Sequence, residues 1–196
     1  MSKDLVKVAQ QFYISGDFFN ARNLYKKLNL PLETAYCELF LGNLSGAKKI
    51  IEKLDLNSPA EEWLLSLSQM IESSLDYMPS YLQIRNFFEV DLNNLFLCGK
   101  KEWIENVINH IPILATINPE VFKLSARVLK NNGQDILAQK FLKKSLDIYF
   151  NDSETHFLLA EIYLKNNEIS LAKKHLEYSC ENERYFPAQK LLSELN

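Results

Sequence analysis

The sequence predicts an all-α fold, an α-solenoid of antiparallel helix pairs with about twelve helices. Three observations carry this. Apolar residues recur at helical spacing along nearly the whole chain, and no polar run alternates as a strand would. Four of the five glycines, Gly16, Gly42, Gly99 and Gly133, together with Asn167, each stand five residues before Ala21, Ala47, Ile104, Ala138 and Ala172. Glycine and asparagine tolerate positive φ, so these positions read as left-handed residues that end one helix just before the next begins. The distances from Ile104 to Ala138 and from Ala138 to Ala172 are both 34 residues.

Taken in order, Leu5, Val8, Ala9 and Phe12 form the first apolar stripe, and Ala21, Tyr25 and Leu28 the second. This predicts helices over 3–15 and 18–29. Leu30-Pro31 starts a third helix over 32–41, and Gly42 leads into a fourth over 44–54. Only 26 residues separate Ala21 from Ala47, so the second pair is shortened. The 57 residues from Ala47 to Ile104 leave room for an extra helix over 59–76. Its start is marked by Ser58-Pro59-Ala60-Glu61, a capping box with proline in the first turn. Trp63, Leu64, Leu67, Met70, Ile71 and Leu75 form its apolar side. It reads as a packing helix, with a helix in the groove or at a protomer contact as the alternatives. Met78-Pro79 opens a helix over 80–97 bearing Phe88, Leu92 and Leu95. Its partner over 101–111 carries Ile104, Ile108 and Ile111 and is expected to end at Pro112. Asn118-Pro119 starts 119–131, with Phe122, Ala126 and Leu129. Its partner over 135–149 carries Ala138, Leu142 and Ser145. Asp152 or Ser153 caps 154–166, with His156, Leu159, Ala160 and Tyr163. Ala172, Leu176 and Cys180 line 169–181. A last helix over 186–195 puts Ala188, Leu191, Leu192 and Leu195 on one side, as a capping helix does.

The organisation expected is one solenoid over 1–196. It comprises two N-terminal pairs over 2–54, the extra helix over 58–78, three regular repeats over 80–182 and the cap over 185–196. A 34-residue period of paired helices resembles the tetratricopeptide repeat. The copy with Ala160, Tyr163 and Ala172 resembles it most: small residues stand where two helices cross closely. The resemblance is strong over 85–186, fair over 2–30 and degenerate elsewhere. The usual tryptophan is missing, and the usual final proline is absent or displaced, as at Pro187. The resemblance implies a right-handed solenoid whose first helices line a concave groove. It also implies protein partners and the work of an adaptor, chaperone or assembly factor, as for a bacterial secretion or pilus complex.

Composition bounds the chemistry. Net charge is −3 and charged residues make up 24% of 196 residues, so the basic excess of a nucleic-acid binder is missing. No apolar run reaches membrane-spanning length, and the N-terminal stretch does not read as a signal peptide. A cytoplasmic protein is expected. Cys37, Cys98 and Cys180 show no metal-ligand spacing, and Cys98 and Cys180 are expected to be buried, inert thiols. No phosphate loop, nucleophile elbow or zinc motif occurs, so no catalytic residue, cofactor or metal is assigned. His156 and His175 fall on the two helices of one repeat and read as structural neighbours.

Carrying the groove geometry of the resemblance onto this chain gives Val6, Gln10 and Tyr13, then Asn86, Glu89 and Asn93. The fourth copy gives Lys123, Arg127 and Lys130, and the fifth Phe157, Glu161 and Leu164. The residues assigned to partner binding are Asn93, Lys123, Arg127, Lys130, Phe157 and Glu161. The three cations form one basic stripe suited to the carboxylates of an acidic or C-terminal peptide. The lysine and asparagine clamp of some family members is not reproduced, because Val6 and Gln10 stand at those positions. The function expected is a non-catalytic scaffold binding a partner peptide or helix. An RNA-reading helical repeat is one alternative. Another is self-association through the aromatic middle, with Phe87, Phe88 and Phe96.

Overall fold

The computed structural model describes residues 2–181 and 185–195. The expected boundary at 182, and positions 1 and 196, lie outside them. The described residues are all-helical, with twelve helices and no strand. The chain divides into two compact units, Met1–His110 and Ile111–Asn196.

The first unit holds α1 (Ser2–Ile14), α2 (Phe18–Lys27), α3 (Pro31–Phe40), α4 (Leu44–Ile51), α5 (Pro59–Ile71) and α6 (Tyr81–Cys98). α1 packs on α2 and α3 on α4, each pair joined by a tight turn. α3 is the central helix and also touches α2, α5 and α6. α7 (Lys101–Ile117) begins in this unit. The second unit holds its end and α8 (Val121–Asn131), α9 (Asp135–Ile148), α10 (Ser153–Lys165), α11 (Ile169–Glu181) and α12 (Phe186–Glu194). Here α8 packs on α9, α10 on α11, and α12 on α11.

Close pairing follows from alanine. Ala9 and Ala21, Ala35 and Ala47, Ala126 and Ala138, and Ala160 and Ala172 are each fully buried, one on each helix of a pair. A methyl group at the crossing lets two backbones approach where a larger side chain would hold them apart. The five turn residues all take positive φ: Gly16 at 80°, Gly42 at 81°, Gly99 at 71°, Gly133 at 74° and Asn167 at 61°. The fifth glycine, Gly46, has another use. Its N–H donates to the Asn43 side chain that caps α4, at 3.1 Å. A Cβ there would lie 2.2 Å from Asn43 Nδ2, so a larger residue would have to push the capping side chain aside.

The structure corrects several expectations. α7 runs through Pro112 to Ile117 instead of ending at Ile111. Proline forfeits one helix hydrogen bond, yet fully buried Ile111 and Leu114 on either side reward continuation. α5 ends at Ile71, five residues short of the expectation. Ser73 turns left-handed at φ 62°, and Gln69 Oε1 accepts from the Tyr77 N–H at 2.8 Å. Asn106 of α7 donates to the Ile71 carbonyl at 2.8 Å. α6 is capped by Ser80 with Gln83 in a capping box, rather than by the Met78-Pro79 step. α8 starts at Val121 because Asn118 and Pro119 form a turn in which Asn118 Oδ1 accepts from the Glu120 N–H.

Burial follows the expected stripes in most places. Trp63, Leu64, Leu67, Met70 and Ile71 of α5 are buried within the first unit. Leu5 and Val8 are exceptions, 41% and 39% exposed, because α1 turns its Ala9 side to the interior. Cys98 and Cys180 are half-buried, and Cys37 on central α3 is the buried thiol, pushed up to about 12 by burial.

Candidate partner-binding surfaces

Lys123, Arg127 and Lys130 stand on α8, and each meets an acid. Lys123 Nζ donates to Asp152 Oδ2 at 2.7 Å and lies 3.2 Å from Glu154 Oε2. Arg127 donates to Glu154 Oε1 at 2.7 Å, and Lys130 pairs with Glu161. The three cations of α8 therefore form a ladder with three acids at and on α10. Asp152 does two jobs: its other oxygen caps α10 by accepting from the Thr155 N–H at 2.9 Å. Burial pushes its carboxyl up, but Lys123 and the cap outweigh this and hold it below the usual carboxylate range. Lys123 is shifted up by the same partnership, against burial. Phe157 packs against Tyr185, ring centres 5.4 Å apart. Of the six residues assigned from sequence, five thus gather in the second unit. Asn93 is exposed on α6 in the first.

His156 and His175 meet, Nδ1 to Nδ1 at 2.9 Å, and His156 Nε2 lies 2.8 Å from the Phe150 carbonyl. A carbonyl only accepts, so His156 carries its proton on Nε2 and His175 donates from Nδ1. Burial lowers both histidines, and the mutual repulsion of two cations also lowers His175, to about 4. The pair is a neutral structural contact walled by Tyr163 and Tyr178. No group of three metal-ligating side chains occurs among the described residues.

The first unit contains a cavity of about 260 Å³. Tyr13 of α1, Tyr25 of α2, Glu33 and Tyr36 of α3, and Phe87 and Asp91 of α6 line it, with Asn86 and Val90 at the rim. The groove geometry had picked out Tyr13 and Asn86. It missed Asp91, Phe87, Tyr25 and Tyr36. Asp91 stands three residues after Phe88 and one before Leu92, so an acid on the buried side of α6 was a signal in the sequence. Asp91 is 4% exposed. Its Oδ2 accepts from Trp63 Nε1 at 2.7 Å. Burial pushes its carboxyl up to about 7, with the Trp63 bond pulling the other way. Of the middle aromatics offered for self-association, Phe88 is buried and Phe87 stacks on Trp63.

No protein-family model matches the chain, and no curated protein matches it. Among solved structures it is similar to the crystal structure of the APC/C hetero-tetramer Cut9-Hcn1, at 18% identity and a TM-score of 0.42. That match covers 100% of this chain and 43% of the other, so the chain spans less than half of that neighbour's length. No described helix is long and apolar enough to cross a membrane. The likeness to tetratricopeptide helix pairs rests on the chain's own alanine crossings and left-handed turns.

Proposed function

We propose that this chain is a non-catalytic scaffold that binds a segment of another protein, within the class of adaptors, chaperones and assembly factors. The observation that supports it most is the aromatic cavity of the first unit. α1, α3 and α6 present side chains to one concave site, which helix-pair architectures use for extended or helical segments. Val90, 57% exposed at its rim, and Leu82, 61% exposed on the same helix, add apolar surface that a partner can cover. The basic stripe on α8 plays a smaller part in this reading, because a partner's carboxylates would first have to displace Asp152, Glu154 and Glu161.

The test is affinity capture from the native host with the wild-type chain and with Val90→Arg. Val90 is exposed, so the substitution leaves the core intact, which a thermal melt checks. A defined partner recovered with wild type and lost with the variant supports the proposal. Equal recovery by both removes this face from the reading.

A further inference from the structure

The geometry points to a specific occupant for the first unit's cavity: the side chain of an arginine on the partner segment, held by the Asp91 carboxylate and the surrounding rings. This rests on the scaffold reading and deepens it.

The other buried acid of the same unit shows what is unusual here. Glu38, 5% exposed, accepts from Lys26 at 2.6 Å and from Asn43 at 2.9 Å, and Arg22 lies 3.5 Å away. Burial raises its carboxyl, but these partners outweigh burial and hold it below the usual range. Asp91 is as deeply buried and has one donor, the Trp63 indole. A carboxylate offers about four acceptor sites, so one bond leaves most of its capacity unused. Asp91 is itself part of the cavity lining, so that capacity is within reach of an entering group.

The walls select the occupant's chemistry. Tyr13, Tyr25, Tyr36 and Phe87 favour a cation with a flat, weakly hydrated head, because aromatic faces carry negative charge and stack on guanidinium. Glu33 adds a second negative charge, and no lysine or arginine lines the cavity. A volume of about 260 Å³ is below the roughly 300–1,000 Å³ of sites for whole small molecules and suits one long side chain. The titratable groups that line the cavity with Asp91 are Tyr13 on α1, Tyr25 on α2, and Glu33 and Tyr36 on α3. Burial raises the three tyrosines, so they stay neutral at physiological pH. Asp91 itself ionises near pH 7, and an entering guanidinium favours the ionised form, so binding strengthens as pH rises through that value.

The experiment follows the Trp63 indole N–H resonance of the full chain during titration with the capped pentapeptide Ala-Ala-Arg-Ala-Ala. The uncharged citrulline pentapeptide and free agmatine are titrated in parallel. Saturable shifts with Kd of about 1–10 mM are expected for the arginine peptide, and none for the citrulline peptide. Asp91→Asn, which keeps an acceptor for Trp63, should weaken the arginine peptide at least about tenfold. No shift at about 20 mM arginine peptide, or equal binding of the citrulline peptide, overturns the proposal. Tighter binding of agmatine than of the peptide also overturns it, in favour of a free amine ligand. If Val90→Arg still abolishes partner capture while these titrations fail, the scaffold reading stands and the arginine is wrong.

Discussion

The two units bury charge in opposite ways. In the second, α8 and α10 answer each other: Lys123, Arg127 and Lys130 meet Asp152, Glu154 and Glu161. Each charge has an opposite partner, and for Lys123 and Asp152 that partnership outweighs the burial that opposes their charge, so the ladder ties the register of two helices. In the first, Glu38 is enclosed by three cationic or amide groups, whereas Asp91 has the Trp63 indole alone. A satisfied acid stabilises the fold. An acid short of partners destabilises it when ionised, and a ligand that supplies the missing partner can recover that energy. Charge is paired within the scaffold at the ladder and at Glu38, and is left with one donor at Asp91.

Breaking the packing of the first unit should have the largest effect. Trp63 is fully buried and donates to Asp91, so Trp63→Ala should cost about 3–5 kcal/mol in urea denaturation. Helix α5 is then confirmed as a core element; a variant as stable as wild type would make it dispensable.

Acid should separate the units next. His175 is held down to about 4 in the fold and takes a proton at about 6.5 when unfolded. The unfolded state therefore binds more protons between those values, and the second unit loses stability as pH falls from about 6.5 to about 4. Asp91 does the reverse. It is protonated below about 7 in the fold and below 3.8 when unfolded, so the first unit gains stability as pH falls from about 7 toward 3.8. Amide exchange at pH 7 and pH 5 should show protection falling in α10 and α11 and holding or rising in α5 and α6. A uniform change across both units would sink this comparison.

The ladder offers a smaller perturbation. Lys123→Met strands Asp152 beside the start of α10 and should cost about 1–2 kcal/mol, less in high salt. A wild-type chain whose melting point ignores salt would show that the ladder contributes nothing net. The turns give effects of similar size or smaller. Nothing lies within 4 Å of a Cβ built on Gly133, so Gly133→Ala meets only the left-handed backbone, at about 1–2 kcal/mol. Asn167→Gly should be neutral within about 0.5 kcal/mol. A Gly133→Ala variant of unchanged stability would mean the turn can relax out of positive φ.

Much of this was legible in the chain because it is local. Turn glycines, the Ser58 capping box and the alanine crossings depend on residues a few positions apart. The helix ends that were misread also have local causes, but causes that compete. Pro112 opposes helix while Ile111 and Leu114 favour it, and only packing shows which wins. The basic stripe was readable as i, i+4, i+7 spacing on α8. Its partners were not, because Asp152 and Glu161 lie about thirty residues away on another helix.

The sequence alone determined that this protein is a series of helix pairs, where its five left-handed turns fall and that small residues let pairs close, since these follow from backbone sterics and periodicity. Only the tertiary structure decided what the polar side chains face. It paired the α8 cations with the acids of α10, and it drew Asp91 into a ring-lined cavity with one donor. Burial and electrostatic partnership depend on distances between helices remote in sequence, and spacing along one helix carries no record of them.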